Sequence, residues 1–149
     1  MKRIISTLLL FVVLIAAFQG LASADEIRPI SVFIDGIMFE TDPPATILNG
    51  TTYVPLLPLC EVLGAEVNVL ENGSDITYVI SSEVTNKKLE LAYGDDFIKV
   101  NGKIVKIAVP PVLNMVWTET NEKVAVVPIK IVVEELGGVV LWDEKGGRI

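Results

Sequence analysis

The side chains that carry most protein chemistry are thinly represented in this chain. Histidine is absent, which removes the commonest general base and every Ser-His or Cys-His nucleophile pair. Cys60 is the lone cysteine, so no internal disulfide can form, and its place on the apolar stripe of an expected helix predicts a buried, inert thiol. Carboxylates are plentiful, with 19 Asp and Glu against 12 Lys and Arg. Glu61 and Glu134 hold equivalent positions on two expected helices and could approach each other, as a small extracellular carboxylate-dependent hydrolase would require. Solvated surface glutamates are the simpler reading, because glycosidase chemistry needs two carboxyls in a cleft at a set separation. No Asp-x-Asp-x-Asp-Gly loop marks a calcium site, and Asp95-Asp96 and Asp143-Glu144 read as turn charges. What remains is binding. Trp117, Glu119 and Asn121 share a polar loop, and Trp142 lies near the end of the chain; together they form the candidate interaction surface, since exposed indoles stack on sugar rings or anchor protein contacts. For Trp142 the favoured reading is that it closes the core beneath its helix, which leaves the loop containing Trp117 as the expected contact.

The elements that must position these residues recur. Pro43-Pro44 leads through Asn49-Gly50 to Val54-Pro55, then Leu56 to Leu63-Gly64-Ala65 and a strand-like Glu66 to Leu70. Pro110-Pro111 leads by a longer polar stretch to Val127-Pro128, then Ile129 to Leu136-Gly137-Gly138 and a strand-like Val139 to Asp143. From the helices onward the copies are 73 residues apart, and the second carries about six extra residues around Met115 to Lys123. In each, a proline suits the first helical position, where its missing N–H has no partner to lose. Apolar residues fall at Leu56, Leu59, Cys60 and Leu63, and again at Ile129, Val132, Val133 and Leu136, one face of a helix twice over. Gly64 and Gly137 follow where helices end with positive φ. Pro58 loosens the first helix. Segments this short are unstable alone and must pack on a sheet.

The rest reads as strands between turns. Ile30–Ile34 and Ile37–Glu40 flank Asp35-Gly36, Val67–Leu70 and Ile76–Ile80 flank Asn72-Gly73, Leu89–Ala92 and Phe97–Val100 flank Gly94-Asp95, and Lys103–Ile107 follows Asn101-Gly102. Asn-Gly and Asp-Gly are the strongest short-range hairpin signals. The expected class is therefore α+β: antiparallel sheets of hairpins with one short helix per repeat, the two tandem repeats sharing a core.

Compartment is set by the first residues. Lys2 and Arg3, the apolar run Ile4 to Phe18, and small residues at Ala22-Ser23-Ala24 make a secretory signal peptide over residues 1–24. The run approaches the roughly 20 residues that cross a bilayer, but Gln19, Gly20 and Ser23 dilute its far end, which favours cleavage before Asp25. A secreted or cell-surface domain of residues 25–149 is left, with repeat one at about 30–80 and repeat two at about 88–149. The chain's net charge of −7 becomes more negative when Lys2 and Arg3 leave. Phosphate backbones and anionic bilayers repel such a surface, so neither nucleic acid nor membrane is an expected partner after cleavage. Oligomeric state is not legible here.

Taken together, Asp35-Gly36, Pro44, Asn49-Gly50, Val54-Pro55-Leu56, Glu61, Leu63-Gly64-Ala65, Val127-Pro128-Ile129-Lys130, Glu134, Leu136-Gly137 and Val140-Leu141-Trp142-Asp143 resemble the bacterial copper amine oxidase-like N-terminal domain, or stalk domain. The resemblance spans the mature chain. It implies an exported, noncatalytic accessory module, of a kind found beside catalytic or wall-anchoring domains, with cell-wall polymer or another exported protein as partner. The fold it implies is an antiparallel sheet wrapped around a helix. Leu57 departs from the pattern's Arg, Val69-Leu70 stand in the first copy where the second has Trp142-Asp143, and the pattern implies a further strand after Arg148-Ile149. Despite the family's name, no cofactor is expected: copper sites want imidazoles, and Met38, Cys60 and Met115 are scattered. Tyr53, Tyr78 and Tyr93 follow Thr, Thr and Ala, not the Asn that precedes a quinone-forming tyrosine.

Overall fold

A computed structural model of the chain describes residues 28–116, 120–143 and 149; the expected signal peptide lies outside them. Twelve strands and two short helices are described, and every ladder between these strands is antiparallel. The class expected from the sequence, antiparallel sheets with short helices, is the class observed.

Turn chemistry writes much of this topology. At Asp35-Gly36, Asn49-Gly50 and Asn101-Gly102 both central residues have positive φ, as a two-residue type I′ turn demands. These turns join β2 (Val32–Ile34) to β3 (Ile37–Phe39), β4 (Thr46–Leu48) to β5 (Thr51–Pro55), and β9 (Phe97–Val100) to β10 (Lys103–Lys106). The fourth signal sits one residue later than expected. Asn72 pairs with Asp75, so Gly73-Ser74 forms the turn between β6 (Glu66–Asn72) and β7 (Asp75–Ser82). There the glycine supplies the positive φ at the first central position, the type II′ arrangement.

Two five-stranded sheets result. The first runs β1 (Arg28–Pro29), β4, β5, β12 (Lys123–Pro128), β11 (Leu113–Val116); the second runs β10, β9, β8 (Lys87–Ala92), β7, β6; β2 and β3 pair separately. Periodicity alone does not resolve β4, β5, β11 and β12. They are short, and two end in the prolines that read as helix starts.

Those prolines belong to the strands. Pro55 is paired opposite Val126 and Pro128 opposite Tyr53, and both have extended backbones, with ψ of 129° and 110°. Helix α1 (Leu56–Val62) and helix α2 (Ile129–Glu135) begin one residue later. Both end alike. The Ala65 N–H donates to the Cys60 carbonyl at 2.8 Å and the Gly64 N–H to that of Glu61 at 3.1 Å; the Gly138 N–H donates to Val133 at 2.8 Å and the Gly137 N–H to Glu134 at 3.0 Å. This is the Schellman closure, satisfying carbonyls the last turn would leave open.

One buried cluster joins these parts. Leu56, Leu59 and Cys60 of α1 and Ile129, Val132 and Leu136 at α2 meet Val54 and Val127 of the first sheet and Ile80, Leu89, Leu91 and Ile98 of the second. Alternation explains the second sheet's share: Leu89 and Leu91 are buried while Lys88 and Glu90 face out, forming an ion pair at 3.1 Å. Each such aliphatic side chain contributes about 1.5–3 kcal/mol by leaving water.

One expected strand is not formed. Val139 to Asp143 carries only an isolated bridge, at Asp143, although its residues are as β-prone as those of β6. β6 is held by the seven-pair ladder to β7. Among the described residues Val139 to Leu141 have no ladder, and Val139 and Leu141 are exposed. Propensity without a ladder partner does not make a strand. Ile149 reaches elsewhere, its N–H donating to the Ser31 carbonyl and its carbonyl accepting from the Phe33 N–H.

Candidate interaction site around Trp142

The sequence-derived surface is only partly placed. Trp117 and Glu119 lie outside the described residues. Asn121 is exposed, with φ of 56°, a left-handed turn position that asparagine tolerates. Trp142 is 48% exposed. It neither seals the core nor stands free: it forms one wall of a cavity of about 520 Å³.

Three elements and Ile149 line that cavity. The β4–β5 hairpin supplies Ile47, Thr51 and Thr52, the first turn of α2 supplies Ile129 and Lys130, and the segment after α2 supplies Val140 and Trp142. The site owes its form to local rules already described. The type I′ turn at Asn49-Gly50 fixes the hairpin, Pro128 fixes where α2 starts, and the Gly137 closure turns the chain back toward the hairpin. The volume suits a small ligand or one unit of a polymer. Its chemistry is an indole over an aliphatic floor, with two hydroxyl-bearing threonines and one ammonium, which lies 4.0 Å from Glu134 on the exposed face of α2. A second cavity of about 360 Å³ shares Ile129 and Val140 with the first and continues past Phe33, Leu63 and Leu141. Sequence reasoning finds Trp142 but not Ile47, Thr51 or Thr52. The Asn49-Gly50 hairpin signal could have located them.

The hydrolase pair is not assembled in this site. Glu61 and Glu134 are exposed on their helices, and neither lines either cavity. Among the described residues no Asp or Glu side chain lines the Trp142 cavity, and Asp35 lines the adjoining one.

The soft-metal donors fit copper no better. Met38 is on β3, Met115 on β11, and Cys60 is 1% exposed inside α1, with burial pushing its thiol up to about 12. Burial favours the neutral thiol over the thiolate that a metal takes as ligand. Among the described residues no group of three or more His, Cys, Asp and Glu is placed to hold a metal ion. Tyr53 serves the scaffold, because its hydroxyl donates to the Pro110 carbonyl at 3.1 Å and burial raises its pKa. No described helix is long and apolar enough to cross a membrane.

Hairpin-built antiparallel sheets with twin Schellman-closed helices define an α+β domain. The family described as "Copper amine oxidase N-terminal domain" matches residues 33–149, and the chain belongs to that family. The N-terminal domain of copper amine oxidases is a noncatalytic accessory domain. Comparison with curated proteins and with solved structures gives no match.

Proposed function

We propose that this chain is an exported, noncatalytic interaction module that contacts cell-wall polymer or another exported protein through the surface at Trp142. The observation that carries the reading is the half-exposed indole at a cavity of ligand size, in a domain whose family is accessory. Export rests on the signal-like residues 1–24. Duplication of the scaffold, with both copies sharing one core, is supported by the ladder between β5 and β12. Val54 faces Val127, its own counterpart 73 residues on, and Tyr53–Pro128 mirrors Pro55–Val126, the register a twofold relation would produce. Buried residues of both helices fall in one cluster.

A pull-down with purified peptidoglycan and with the exported proteins of the same cell tests the reading. Replacing a central aromatic anchor costs about 2 kcal/mol, so Trp142→Ala should weaken retention roughly thirty-fold. A Glu61→Gln, Glu134→Gln double variant should be retained as well as the parent. Undiminished retention of Trp142→Ala would remove the cavity from the contact.

A further inference from the structure

The edges of the two sheets are not alike. β1 has two residues, one of them proline, and β11 has four. β10 has four and carries Lys103 and Lys106 at its two ends. Short length, proline and lysine are the devices that keep an edge from pairing with another chain. Among the described strands β6 is the outermost of its sheet, seven residues long, without proline or lysine and with its charges, Glu66 and Glu71, toward the two ends, while Val69 and Leu70 stand 48% and 58% exposed on its opposite faces. The internal comparison sharpens the contrast. Where the second copy has Trp142-Asp143, the first has Val69-Leu70, so the middle of this edge is aliphatic where its counterpart carries a charge.

We infer that β6 is a homodimerisation edge, pairing antiparallel with β6 of a second copy to extend the five-stranded sheet across a twofold axis at Val69. An open antiparallel edge presents N–H and C=O groups outward at alternate residues, a template on which another strand can pair. A second copy fits because the strand is self-complementary. In the Val69-centred register Glu66 faces Asn72, Val67 faces Glu71 and Asn68 faces Leu70, so no carboxylate opposes another. Like charges directly opposite would be destabilising. The long-range repulsion between two acidic chains is screened at physiological salt. This pairing is independent of the Trp142 cavity, which is built by other strands.

Sedimentation equilibrium of the purified protein over a wide concentration range tests the inference. A monomer–dimer equilibrium is expected, weakened about tenfold or more by Val69→Lys and by Leu70→Lys and unchanged by Ile104→Lys on the β10 edge. Both β6 sites are exposed, so far-ultraviolet circular dichroism should show the variants folded. A Val69→Cys variant under mild oxidation gives a second readout. Facing Cα atoms in such a ladder stand about 5.5 Å apart, within disulfide reach, while Cys60 is buried, so a covalent dimer linked through position 69 is expected. A protein that stays monomeric throughout and fails to cross-link would overturn the inference. So would a dimer insensitive to both lysine variants, or a monomer whose β6 edge captures a strand of a different protein instead.

Discussion

At the scale of single residues, Cys60 carries the sharpest expectation. Its apolar helix stripe predicts burial, and in the structure it is 1% exposed, with burial raising its pKa from 9.0 to about 12. A raised acid pKa means the folded state keeps the neutral thiol while the unfolded chain ionises near 9. The associated stability is complete below pH 9 and is lost as pH rises from there toward 12. Thiol titration with a chromogenic disulfide at pH 8 should therefore find no reactive group in the native protein and one in denaturant. Denaturation midpoints should fall between pH 9 and 12, and Cys60→Ala should remove part of that fall. Leu59, fully buried beside it, should cost about 3 kcal/mol when replaced by alanine, read from urea unfolding. The functional residues are less legible than these core ones. Trp142 can be singled out by type, but its half-buried state depends on Ile47, Thr51 and Lys130, which are distant in sequence and joined only by the fold.

At the scale of elements, the chain's punctuation is readable wherever a backbone angle is dictated by residue type. Gly64 and Gly137 end their helices with φ of 65° and 94°. Alanine there should cost about 1–2 kcal/mol through backbone strain. At Gly64 an added Cβ meets nothing within 4 Å, so the whole loss is conformational, and Gly64→Asn should recover part of it; thermal melts of the three proteins check both statements. Where pairing partners decide, the sequence misleads. Val139 to Asp143 reads as a strand by composition, yet a strand exists by its ladder. β5 is hidden for the opposite reason, because Pro55 signals a helix start while still holding its place opposite Val126. The turn at Gly73-Ser74 shows the same logic on a smaller scale: Asn-Gly names the hairpin correctly, and the ladder moves it by one residue.

At the scale of the whole molecule, one buried cluster ties two antiparallel sheets and two short helices together. Family membership gives the accessory role, the contact at the Trp142 cavity is the proposed part, and a net charge of −7 disfavours polyanions. The most direct test uses the fact that the chain has two tryptophans. In a Trp117→Phe variant Trp142 is the sole indole, and its half exposure makes its emission sensitive to anything that covers it. Titrating that variant with the wall fragment or exported protein that retains it should give a saturable blue shift at the occupancy measured by pull-down. Emission that stays unchanged at saturation would place the contact away from the Trp142 cavity and contradict the account.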